Sequence, residues 1–230
     1  MENRAVYRLG FWSSLVATMM VAGFALSLII GLLSPSYAAD AMSYVVCLVL
    51  PASFVAMMVS IHHITPVERR VWSQLGLSFS IIYAVMCSMV YYIQLVVVRT
   101  NTQGVSPDAM ALFTFTPGSA TFAVDMLGYA FLTLATLVTS PVFGDSLREK
   151  WLKRSFFIHG LFALPTIIFP AIQFSQEAAA VESAKQGGAV ALLFWCLLFV
   201  PISTILAVHF RRLQDKAVPE ALRSSMPTAA

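Results

Sequence analysis

The sequence predicts an all-α polytopic membrane protein: a bundle of six transmembrane helices with both termini in the cytoplasm. Three observations predict it. First, of 230 residues 59% are hydrophobic and only 11% charged, where a soluble domain carries roughly 25% charged residues. That much apolar surface needs lipid as its solvent. Second, six stretches approach the about 20 mostly apolar residues that a spanning helix requires: residues 11–33, 41–62, 76–98, 121–142, 156–173 and 189–210. Third, the basic residues fall on one side of those stretches. Arg4, Arg8, Arg69, Arg70, Arg148, Lys150, Lys153, Arg154, Arg211, Arg212, Lys216 and Arg223 share one side, and only Arg99 and Lys185 lie on the other. Twelve against two is a positive-inside signal that makes the first side cytoplasmic.

Residues 1–218 therefore form one six-helix transmembrane domain, and residues 219–230 are expected to be a short, disordered cytoplasmic tail. The first segment needs an additional argument, because the stretch from Ser34 to Asp40 resembles a signal-peptidase site after Ala38 or Ala39. A signal h-region is about 7–15 residues, and the apolar run 11–33 is longer, so the first helix is expected to be retained. Cleavage would leave five spans.

Small residues recur at every fourth position in three of the spans. They are Gly23, Ser27 and Gly31 in the first, Ala52, Ala56 and Ser60 in the second, and Gly76, Ser80, Ala84 and Ser88 in the third. Such stripes let helix backbones approach closely within a bundle. Pro51, Pro165, Pro170 and Pro201 lie inside spans, where each removes a backbone donor and kinks its helix. Between the third and fourth spans, Ser106, Pro107 and Asp108 read as a helix start. A short interfacial helix over residues 109–115 is expected, closed by Thr116, Pro117 and Gly118. On the opposite side Ser146 and Glu149 make a capping-box pattern. The fifth helix should then begin near Leu147, with Trp151 as an interfacial anchor and Lys150, Lys153 and Arg154 snorkelling.

The net charge of +3 is small and confined to a few loops, which suits topology and not a nucleic-acid surface. The lipid bilayer is the expected partner. Cys47, Cys87 and Cys196 all fall in apolar runs and read as packing residues. No CxxC spacing is present, and His62, His63, His159 and His209 are read as interfacial residues at the cytoplasmic ends. No metal or cofactor is expected. HExxH, GxSxG, P-loop and paired-aspartate motifs are missing, so an enzyme is disfavoured.

Asp125 carries the functional signal, as the one acidic side chain well inside an apolar run. A carboxylate in hydrocarbon must be paired, protonated or near water. Asp125 lies about 6 Å below the outer boundary at ~1.5 Å per residue. Gln94 reaches a similar depth on the third span, Arg99 marks its end, and Tyr91 and Tyr129 lie one turn away. The expected site is a polar cluster of Gln94, Arg99, Asp125, Tyr129 and Tyr91, with Asp125 paired to Gln94 or Arg99 and residues 109–115 above it as a lid. It serves either as a structural clamp or as the site of a small-molecule or proton-coupled carrier. An accessory, sensory or assembly protein without a substrate is the alternative.

The stretches from Tyr91 to Arg99, from Leu127 to Leu137 and from Ser140 to Phe143 resemble uncharacterised prokaryotic six-span membrane proteins. The similarity covers residues 72–160. It implies a stand-alone bundle in a prokaryotic cytoplasmic membrane and carries no site residue with it.

Overall fold

The computed structural model describes residues 2–34, 36–100, 104–173 and 178–224. These are helical almost throughout, with no strand among them. The helices are α1 (Glu2–Leu33), α2 (Tyr37–Ile64), α3 (Arg70–Ile93), α4 (Pro107–Phe113), α5 (Ala120–Thr139), α6 (Leu147–Gly160), α7 (Ala163–Gln173) and α8 (Ala178–Ser224). Five of them, α1, α2, α3 with its C-terminal extension, α5 and α8, are long and apolar enough to cross a membrane. Their number, length and apolarity are compatible with a helical membrane protein.

The expected span 156–173 is instead two helices. α6 ends at Gly160, and a turn at Leu161 and Phe162 leads into α7. Pro165 explains where the break falls. It has no N–H to give the Leu161 carbonyl, and its ring would clash with that carbonyl in a continuous helix. The Leu161 carbonyl instead accepts from the Leu164 N–H at 3.3 Å. Pro165 becomes the third residue of α7, within the first turn, where no intrahelical donor is required. Pro51, by contrast, sits inside an unbroken α2.

The long helices pack antiparallel on their neighbours, and the last returns to the first. α1 meets α2, α2 meets α3, α3 meets α5, α5 meets α6 and α7, α6 meets α8, and α8 meets α1. Gly10 faces the Phe210 ring, and the Thr18 hydroxyl donates to Ser203 Oγ at 2.8 Å. Residue numbers rise along α1 as they fall along α8. The ring closes around Phe54, Tyr83, Leu132, Phe156 and Phe199, all buried.

The α3–α5 seam positions the site. Buried residues on α3 include Ser73, Gly76, Ser80, Tyr83, Cys87 and Val90; on α5 they include Thr121, Asp125, Gly128, Leu132, Ala135 and Thr139. Both sets alternate steps of three and four, which is the seam of a coiled-coil-like pair. Gly76 packs on the Ala135 carbonyl and Thr139, and Gly128 packs on Cys87, where a Cβ would come within 2.6 Å of Sγ. The fourth-residue stripe drifts off this seam, since four residues turn a helix by about 400°. Gly76 and Ser80 are buried, whereas Ala84 and Ser88 are half-buried. In α1 the stripe does face a neighbour: Gly23 lies against Val46 and Gly31 against Ala39.

The caps follow their sequence signals. Ser106 Oγ accepts from the Ala109 N–H, and Ser146 and Glu149 form the capping box. Residues 38 and 39, the candidate cleavage point, lie in the first turn of α2, which Ser36 caps. Arg69 Nη1 donates to the carbonyls of Pro141, Val142 and Phe143 at 3.3, 3.4 and 3.1 Å, placing a cation on the unsatisfied carbonyls after α5. α8 is far longer than expected. Its 47 residues span about 70 Å at ~1.5 Å per residue, more than twice the ≈30 Å hydrocarbon core. It continues through Pro219 to Ser224, where a disordered tail was expected; the remaining tail, 225–230, lies outside the described residues.

Candidate functional site

Tyr91, Asp125 and Tyr129 meet at the end of the α3–α5 seam remote from Gly76. All three are buried. Tyr91 donates its hydroxyl proton to Asp125 Oδ2 at 3.1 Å, and the Tyr91 and Tyr129 hydroxyls are 3.3 Å apart. A phenol has one proton to give. Since that of Tyr91 goes to the carboxylate, Tyr129 is the donor to Tyr91. The chain of donation runs from Tyr129 to Tyr91 to Asp125.

Gln94 is also buried but serves a different partner from the one expected. α3 ends in a π-helical turn, Gln94–Val98, and Gln94 at its start continues the buried spacing of Cys87 and Val90. Its amide donates to the Phe113 carbonyl at 2.6 Å and accepts from the Phe115 N–H at 3.0 Å. This two-point clip does for the segment after α4 what a strand neighbour would do. The Thr121 hydroxyl donates to the same Phe113 carbonyl at 3.0 Å. Phe115 is thereby fixed over the cluster, with its ring 6.3 Å from that of Tyr91 and 5.6 Å from that of Phe122.

Arg99 does not join the cluster. It is exposed, and its guanidinium lies over the Tyr37 ring at the start of α2, 4.0 Å from the centroid. Among the described residues Asp125 forms no ion pair. The physical reason is desolvation. Stacked on Tyr37 the guanidinium keeps its water, whereas reaching Asp125 would bury both charges.

Asp125 Oδ1 has no hydrogen-bond partner among the described residues. The residue lines a pocket of ≈210 Å³ between α5, α7 and α8. Phe115, Phe122, Tyr129, Phe162 and Trp195 supply aromatic walls, and Asp125 is the carboxylate among them. A half-satisfied carboxylate beside an aromatic cavity can take a hydrogen-bond donor or a cation, with the ring faces stabilising positive charge.

A second polar centre is buried around His159, where the sequence suggests an interfacial residue. His159 is fully buried. The Trp195 indole N–H donates to His159 Nε2 at 2.9 Å, and Nδ1 lies 2.8 Å from Thr136 Oγ1. Indole can only donate, so Nε2 carries the lone pair and Nδ1 the proton. The Thr136 hydroxyl in turn donates to the Thr133 carbonyl at 2.8 Å. Every polar group here is used. Trp195 in an apolar run was the available signal, since a buried indole N–H requires an acceptor.

Among the described residues no group of three His, Cys, Asp or Glu side chains could hold a metal. No family model, curated protein or solved structure matches the chain.

Proposed function

We propose that the protein is a six-span carrier of the prokaryotic plasma membrane, both termini cytoplasmic, that binds a small amine-bearing compound at Asp125. The six-span reading counts α6 and α7 as one broken crossing. It is supported by the unbroken antiparallel order around the ring and by Gly10 lying against Phe210, at one end of the bundle. That end carries the basic residues, hence the cytoplasmic assignment.

The observation that carries the binding site is the Asp125 oxygen without a partner beside a pocket. A sealed core at that point would have favoured an accessory protein without a substrate. At ≈210 Å³ the space lies below the roughly 300–1,000 Å³ of drug-sized sites, so the ligand is small. Its cationic or donor end meets Asp125 and its apolar body meets the rings.

The test compares benzylamine with benzyl alcohol and benzoate in thermal unfolding of the detergent-solubilised protein. Benzylamine should raise Tm most, and Asp125→Asn, which retains the Tyr91 hydrogen bond, should remove that preference. Ala191→Phe, which fills the pocket, should abolish every shift. Equal shifts in wild type and Asp125→Asn, or no shift with any of the three, would overturn the binding reading. Counterflow of labelled benzylamine in proteoliposomes then separates a carrier from a receptor.

A further inference from the structure

We propose that the outward face of α6 is a binding site for the phosphate of an anionic phospholipid, at the basic end of the bundle and apart from Asp125. Lys150, Lys153, Arg154, Phe157 and Ile158 follow one another at steps of three and one, which places them on a single helix face. All five are exposed. The opposite face is fixed in the core by Leu152, Phe156 and His159, so α6 cannot roll to present another side.

These five residues line a cleft of ≈530 Å³ together with Ser140 and Asp145. The three cations form no ion pair among the described residues. Glu149, the nearest acid on the helix, is held in the capping box by Ser146. Asp145 is the one acid in the cleft, so three positive charges face one negative and an anion is favoured.

A basic helix face is ordinarily just solvated. Here it passes within one turn into an apolar exposed face, with Phe157 and Ile158 50% and 51% exposed. Arg154 to Phe157 is about 5 Å along the axis at ~1.5 Å per residue. That is the step from headgroup to acyl chain, and it distinguishes a lipid from free phosphate, which has no use for Phe157 and Ile158. Trp151, 56% exposed on the adjacent face, sits at the same level as an interfacial anchor.

Native mass spectrometry of the full chain, released from mixed micelles of dioleoyl-phosphatidylglycerol and dioleoyl-phosphatidylcholine, tests the site. Wild type should retain phosphatidylglycerol about 25-fold over phosphatidylcholine, two net charges at about fivefold each. Lys150→Gln/Lys153→Gln/Arg154→Gln should lose that preference, and Arg212→Gln/Lys216→Gln on α8 should keep it. Should the triple variant fail to fold, Lys153→Gln alone is expected to weaken retention about fivefold, the contribution of one basic residue at a membrane surface. Undiminished retention in either α6 variant overturns the proposal. So does full displacement of the lipid by millimolar inorganic phosphate, which would make the cleft a site for the free anion.

Discussion

Thr139 and Asp125 occupy the same seam of α5 two heptads apart, and each has a buried side-chain oxygen without a partner among the described residues. Their surroundings differ. A Cβ on Gly76 would overlap Thr139 Oγ1, so that oxygen is pressed onto the backbone of α3, where a weak Cα–H···O contact is the interaction within reach. Asp125 instead belongs to the wall of a pocket lined by aromatic rings. An unsatisfied oxygen is common to both positions; the pocket lies at Asp125 alone of the two. His159 sharpens the contrast, since it is as buried as Asp125 and both its ring nitrogens are engaged.

The largest expected effect lies at the closed end. Gly76→Val drives a branched side chain into Thr139 and the Ala135 carbonyl and should cost about 3 kcal/mol, the upper range for overpacking. Reversible unfolding in mixed micelles measures it, and unchanged stability would mean that α3 and α5 are not in contact there. His159→Leu comes next. It leaves the Trp195 N–H buried without an acceptor, at about 1–3 kcal/mol. Adding Trp195→Phe removes the stranded donor and should recover part of the loss; a double variant no better than the single one would refute the assigned hydrogen bond. The smallest effect is at Thr139. Thr139→Val keeps the shape and deletes the stranded hydroxyl, so stability should stay level or rise by up to about 1 kcal/mol. A clear loss would reveal a partner for that hydroxyl and dissolve the contrast with Asp125.

Hydropathy made the long helices legible, because length and apolarity are properties of the chain itself. It could not show α6 and α7 as separate helices. Pro165 was visible as a kink, but the break falls at Leu161 and Phe162, one turn earlier, where the orphaned carbonyl lies. The extent of α8 was illegible for the opposite reason: its ends are polar, and hydropathy carries no signal for a polar helix. At the site, Asp125 stood out as a lone acid, and Tyr91 and Tyr129 followed from helical spacing. Gln94 and Arg99 were assigned by depth alone. Depth does not fix direction around the helix axis, and the π-helical turn at Gln94–Val98 alters direction for Arg99 beyond it. Gln94 turned to the backbone of the capping segment and Arg99 to Tyr37.

The ring of helices is closed by its first and last members, through contacts such as Thr18 with Ser203, 185 residues apart in sequence. Contacts of such separation carry the greatest loop-closure entropy and form late. α8 also supplies Trp195 to the pocket and the indole that fixes His159. A growing chain that has inserted everything up to α7 therefore holds Asp125 in an unfinished cavity and His159 without its donor. The pocket and the His159 hydrogen bonds are both complete only once α8 is in place.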